Sequence, residues 1–69
     1  MTPLMMRRFW SFVEQAQANV LITLDDVSLE QWLINRLYQE QYLDHNQTDV
    51  VSDYIRSRLP LIREIAHAR

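Results

Sequence analysis

Two pairs of carboxylates are the strongest candidates in the sequence for acid–base catalysis. Asp25 and Asp26 are adjacent, and Asp49 and Asp53 are four residues apart, about one helical turn. Acid–base catalysis needs two carboxylates that converge on a pocket with separated pKa values. Each pair instead lies near the start of a predicted helix, where the positive end of the helix dipole favours acids. We therefore predict that these four residues cap helices.

Metal binding and nucleophilic catalysis have fewer candidates. His45 and His67 are the two histidines, and neither belongs to an HxxxH or HxxE spacing. No serine has a neighbouring histidine or an elbow motif, and cysteine is absent. The chain also lacks glycine, which removes the known phosphate-binding loops, and all seven basic residues are arginine, which removes Schiff-base chemistry. We predict no enzyme activity, no metal site and no cofactor.

Two helices that could position these residues are predicted in the first two thirds of the chain. The first runs from Pro3 to about Asn19, and Thr2 is its predicted N-cap. The second begins at Ser28, where an S-x-x-Q capping box opens an apolar stripe that reaches Leu43.

A third helix is predicted from Thr48 onwards, because apolar residues recur there at helical spacing. Pro60 lies away from that apolar face, so we predict a kink at Pro60 rather than a break. Asn46, in the polar connection before the helix, is the predicted left-handed residue. The predicted inner face consists of Val51, Tyr54, Ile55, Leu59, Ile62, Ile65 and Ala66.

These elements predict one small all-α domain over residues 1–69, either a three-helix bundle or a helical hairpin completed by dimerisation. A core this small, without disulfides, favours oligomerisation or docking on a partner. Apolar stretches reach only three residues, as at 20–22, which excludes a membrane-spanning helix and leads us to expect a cytoplasmic protein. Peripheral membrane contact through 5–13, which combines arginines with aromatic residues, is the least favoured hypothesis.

The broad apolar faces, together with the lack of catalytic motifs, predict a protein–protein interaction module: a regulator, an assembly factor or an accessory subunit. Tyr38 and Tyr42 form an i,i+4 pair on the outer face of the second helix, a pattern typical of contact surfaces. Arg36 and Arg58 fall within apolar stripes, where each could cover the core edge or contact a partner. The residues predicted to bind another protein or a second copy are Arg7, Arg8, Trp10, Tyr38 and Tyr42.

A second hypothesis rests on residues 19–24, where Val20, Ile22 and Leu24 alternate as in a strand. With the two helices that follow, the segment distantly resembles the ribbon-helix-helix repressors and antitoxins. In that family, paired strands from two chains enter the DNA major groove. The resemblance therefore implies a nucleic-acid-binding dimer, but the net charge of −6 over residues 24–53 disfavours it. The groove-reading residues implied by the resemblance are Asn19, Leu21 and Thr23.

Overall fold

The computed structural model describes residues 2–41, 43 and 45–68, and over these ranges the chain forms four α-helices and no strand. The bounds are Pro3–Gln15 (α1), Ala18–Thr23 (α2), Asp26–Gln39 (α3) and Thr48–His67 (α4), with a 3-10 turn at His45–Gln47 before α4. The all-α prediction is confirmed, whereas the predicted number of three helices is wrong.

The predicted first helix is divided in two at Ala16 and Gln17. The backbone of Ala16 is extended, with ψ at 153°, and α2 begins two residues later. Leu21 gives the reason, because its side chain is fully buried, as is that of Phe9. On one continuous helix these two residues would lie about 120° apart, too far to share a single buried face. The turn therefore brings Leu21 into the core.

The strand expected near residues 19–24 is not formed, so the ribbon-helix-helix architecture is wrong for this chain. The segment is helical from Ala18 to Thr23. The Thr23 hydroxyl donates to the carbonyl oxygen of Asn19 at 2.6 Å, a contact between successive helical turns. The strand pairing that the resemblance implied has no basis in this fold.

The start of α3 is set by Asp25 and not by Ser28. The Asp25 carboxylate accepts a hydrogen bond of 2.7 Å from the Ser28 backbone N–H, and the helix begins at Asp26. This hydrogen bond is the main cause that lowers the pKa of Asp25 below its ordinary value. Capping by Asp25 is therefore confirmed, and the predicted capping box at Ser28 is wrong. The aspartate adds almost one turn to the helix and complements its dipole.

The connection from α3 to α4 turns at Gln41, whose φ of 61° is left-handed. This conformation favours glycine, which the chain lacks. Asn46, the predicted left-handed residue, lies in the 3-10 turn instead, so that prediction is wrong. Leu43, which follows the turn, is buried in the core.

The central element is α4, because α1, α2 and α3 all pack against it. It runs through the exposed Pro60 without interruption, and a bend there stays a prediction. Its predicted inner face is buried or half-buried at every position, which confirms the periodicity. With 20 residues it is the longest helix, yet neither α4 nor any other helix of the described residues is suited to cross a membrane.

Candidate functional site

An open groove of about 600 Å³ lies between α1 and α3 and is the candidate functional site. Residues at helical spacing line each wall, and residues at the junction of α1 and α2 complete the lining. The lining consists of Arg7, Arg8, Ser11, Phe12 and Gln15, then Ala16, Gln17 and Val20, and finally Trp32, Arg36 and Glu40.

Phe12 of α1 and Trp32 of α3 meet across the groove. Their ring centroids are 5.7 Å apart and the rings are tilted by 34°. Both side chains are half-buried and pack against the hydrophobic core. An aromatic contact of this kind contributes about 0.5–1.5 kcal/mol beyond the burial of area. The groove therefore has an aromatic floor that is held in place by the core.

The Arg36 guanidinium lies over both floor rings. Its central carbon is 5.5 Å from the Phe12 centroid and 5.9 Å from the Trp32 centroid, which are cation–π distances. Within the described ranges, no hydrogen bond or ion pair joins this side chain to another residue. Because no described residue accepts a hydrogen bond from the guanidinium, its N–H donors are available to an acceptor.

Arg7 and Arg8 line the groove from α1, and both are exposed. With Arg36 and Glu40, three arginines and one glutamate give the described lining residues a net charge of +2, whereas the whole chain carries −2. Low-dielectric walls around a concave site focus such a field. The structure thus places two of the predicted binding residues, Arg7 and Arg8, in a site suited to an anionic group.

Trp10, a third predicted binding residue, lies on the other side of α1. Its indole N–H donates to the Tyr54 hydroxyl at 2.9 Å, and its ring meets those of Phe9 and Tyr54 edge to face. Arg8 and Trp10 are close in sequence, but two residues along a helix correspond to a rotation of about 200°. The helix therefore assigns Arg8 to the groove and Trp10 to the edge of the core.

Tyr38 does not lie on an outer face, so that expectation is wrong. Its side chain is half-buried against the core, and its hydroxyl forms a hydrogen bond with the Thr48 hydroxyl. The turn after α3 brings the first residue of α4 beside Tyr38, a contact between elements that helical spacing does not reveal. Tyr42, the last predicted binding residue, lies outside the described residues.

Glu30 of α3 is a buried carboxylate that the sequence analysis missed. It is 7% exposed and accepts hydrogen bonds from the Ser52 hydroxyl at 2.6 Å and from Arg56 Nε at 2.7 Å. These bonds, above all that of Ser52, hold the pKa of Glu30 below its ordinary value despite the opposing effect of burial. The i,i+4 spacing of Ser52 and Arg56 is the only signal in the sequence that could have indicated a shared partner.

Arg63 of α4 binds the end of α2 and the start of α3. Its guanidinium donates to the carbonyl oxygens of Leu21, Ile22 and Leu24 at 2.9, 3.1 and 2.7 Å, and to the Asp26 carboxylate at 2.9 Å. The terminal carbonyls of a helix lack intrahelical partners, and Arg63 supplies them for α2. Asp26 therefore forms an ion pair that joins α3 to α4.

Among the described residues, Asp49 and Asp53 do not form a second site. Asp49 lies in the first turn of α4, as predicted, whereas Asp53 lies in the next turn and contacts Arg56 at 3.8 Å. Across the described part of the chain, no three histidine, aspartate or glutamate side chains are arranged to hold a metal ion. The α1/α3 groove is therefore the candidate functional site among the described residues.

Comparison with known proteins finds no matching family model, no matching curated protein and no matching solved structure.

Proposed function

We propose that this protein is a non-enzymatic protein–protein interaction module that binds its partner in the α1/α3 groove. The observation that carries the proposal is the groove of about 600 Å³, with an aromatic floor and three arginines in its lining. Arginine and tryptophan are enriched among the residues that dominate binding energy at interfaces. A small regulator, an assembly factor or an accessory subunit would act in this way.

The composition of the groove and its surroundings supports this proposal. An apolar centre surrounded by polar residues is the usual anatomy of a protein interface. Leu4 extends the apolar surface, since it is 52% exposed and lies one helical turn from Arg7 and Arg8. A partner that covers Leu4 would bury apolar area in addition to filling the groove.

Three carboxylates have structural partners, which supports a non-enzymatic role. Asp25 caps α3, Asp26 pairs with Arg63, and Glu30 accepts hydrogen bonds from two residues of α4. A general acid needs a raised pKa near the working pH, whereas the pKa values of Asp25 and Glu30 are lowered. The hydrogen bonds to Asp25 and Glu30 stabilise the ionised carboxylates. The contacts of Asp26 and Glu30 also join α3 to α4.

A second copy of this chain is the alternative partner. Residues 24–53 carry a net charge of −6, so a second copy has acidic surface that could face the arginines. A homodimer would also enlarge the small core of a 69-residue chain. Light scattering coupled to size exclusion measures this alternative directly, because the mass of a dimer is twice that of the monomer.

Capture from native lysate tests the proposed function. The tagged protein, its Arg36→Ala variant and its Arg58→Ala variant are each used as bait, with and without nuclease. Arg58 is the matched control, because its guanidinium also lies over a ring, 5.1 Å from the Tyr54 centroid, but does not line the groove. We expect a stoichiometric protein partner that survives nuclease, is lost with Arg36→Ala and is retained with Arg58→Ala. Capture that depends on nucleic acid would contradict the proposal.

A further inference from the structure

We propose that the groove binds an acidic segment of another protein, in which a carboxylate contacts Arg36 and a neighbouring apolar side chain lies on the groove floor. The inference rests on the proposed function and specifies the chemistry of the partner. Three observations carry it: the position of Arg36, the charge of the lining, and the engagement of the chain's own acids.

The side chain of Arg36 is pre-organised to bind a carboxylate. Its guanidinium lies over Phe12 and Trp32, and these contacts restrict the side chain, so less side-chain freedom is lost when an acceptor binds. Its edge can donate two parallel N–H bonds, the geometry that matches a carboxylate. The apolar rings beneath also exclude water from one face, which strengthens a charged hydrogen bond.

The surrounding charge favours an acidic partner. Arg7 and Arg8 lie on α1 across the groove from Arg36, and Glu40 is the one acid among the lining residues that the structure describes. The lining is therefore positive in a chain that is negative as a whole. Complementary charge speeds association and excludes partners of the wrong sign. Basic segments would be repelled by the arginines of the lining.

Single-stranded nucleic acid fits this groove less well than an acidic segment. A single strand binds by stacking successive bases on a series of aromatic side chains, whereas the described lining of the groove contains two, Phe12 and Trp32. The net charge of −6 over residues 24–53 would also repel a phosphate backbone that extends beyond the groove.

A second copy is disfavoured as the occupant because four of its acids are already engaged within their own chain. Asp25, Asp26 and Glu30 bond within their own chain, and Asp53 lies near Arg56. Moving such a carboxylate to Arg36 would break an existing contact and gain little. A segment from another protein has no such intramolecular bonds to lose.

Selection from a random displayed-peptide library tests this inference, with the wild type, Arg36→Ala and Arg58→Ala as targets. We expect the wild type to enrich peptides with aspartate or glutamate next to leucine, phenylalanine or tryptophan. Synthetic copies should bind Arg36→Ala about ten-fold more weakly or worse, as the loss of a charged hydrogen bond predicts, and bind Arg58→Ala unchanged. Arg36→Lys keeps the charge but loses the planar fork, so we expect intermediate affinity.

Enriched peptides that lack acids, affinities that Arg36→Ala leaves unchanged, or a failure to enrich any peptide would overturn the inference. A salt-sensitive dimer that Arg36→Ala dissociates would assign the groove to a second copy, and tight binding of a single-stranded oligonucleotide would assign it to nucleic acid. The two proposals can fail separately. If lysate capture depends on Arg36 but the captured partner is not acidic, the proposed function stands and this inference fails. Circular dichroism of each variant excludes loss of the fold as the cause.

Discussion

Arg63 and Leu24 join the longest helix to the end of the shortest one. The guanidinium Nη2 of Arg63 donates a hydrogen bond of 2.7 Å to the carbonyl oxygen of Leu24, directly after α2. A helix of six residues is not stable in isolation, so α2 depends on its tertiary contacts. Arg63 supplies the polar part of those contacts, and the burial of Leu21 supplies the apolar part.

Replacing Arg63 should therefore destabilise the protein. We expect Arg63→Ala to lower the free energy of unfolding by about 2 kcal/mol, because several carbonyls and the Asp26 carboxylate lose a charged donor. Arg63→Lys should recover part of the loss, since an ammonium cannot reach the same set of acceptors. Urea denaturation measures both, with the exposed Arg58→Ala as control, for which we expect about 0.5 kcal/mol or less. An equal effect of Arg63→Ala and Arg58→Ala would refute this role.

Glu30 should make stability depend on acid pH. Its pKa is lowered in the folded protein, so ionised Glu30 contributes stability above its ordinary pKa of 4.5. That contribution is lost as the pH falls below 4.5 and through the lower folded value. We expect Glu30→Gln to lower the free energy of unfolding by about 1–3 kcal/mol near pH 7, and the difference from wild type to shrink near pH 3. Urea denaturation at both pH values, with the exposed Glu64→Gln as control, provides the measurement.

Trp10 and Tyr54 should be coupled in stability. We expect Trp10→Phe and Tyr54→Phe each to cost about 1 kcal/mol, because each removes one partner of the 2.9 Å hydrogen bond. The double variant should lose less than the sum of the two single variants, which a double-mutant cycle by thermal or urea unfolding detects. Additive losses would show that the hydrogen bond contributes nothing. Capture of a partner should be unaffected by Trp10→Phe, since Trp10 lies outside the groove.

Gln41 offers a stabilising substitution. A residue other than glycine in the left-handed region carries a steric cost of about 1 kcal/mol. We expect Gln41→Gly to raise the free energy of unfolding by about 0.5–1 kcal/mol, since φ is 61° there. The matched control is Gln39→Gly in the last turn of α3, which should be destabilising by a similar amount because its backbone is helical. A lower melting temperature for Gln41→Gly would contradict the expectation.

Local patterns were sufficient for the elements that are amphipathic on their own. The start of α4 at Thr48, its inner face and the Thr2 cap of α1 follow from spacing and capping chemistry, and the structure confirms them. The same patterns were insufficient where two local solutions compete. Asp25 and Ser28 are both suitable N-cap residues. The structure uses Asp25, so that α3 begins at Asp26, and Asp26 forms an ion pair with Arg63 of α4.

The groove itself was only partly predictable. The sequence predicts Arg7 and Arg8 as partner-binding residues and Arg36 as an arginine within an apolar stripe. Their common site depends on the distance between α1 and α3, and spacing along the chain contains no information about that distance. Trp10 shows the opposite relationship. It is close to Arg7 and Arg8 in sequence, but the helix places it on a different face, where it contacts Tyr54.

What the sequence by itself determined is the helical class and the apolar face of each long helix, because both depend on residues within a few turns of one another. What only the tertiary structure decided is the break at Ala16 and Gln17, the burial of Glu30 and the aromatic floor under Arg36. Each of these depends on contacts between residues far apart in the chain. The free energy that stabilises each feature is gained only when the helices pack together, and local sequence patterns contain no information about that packing.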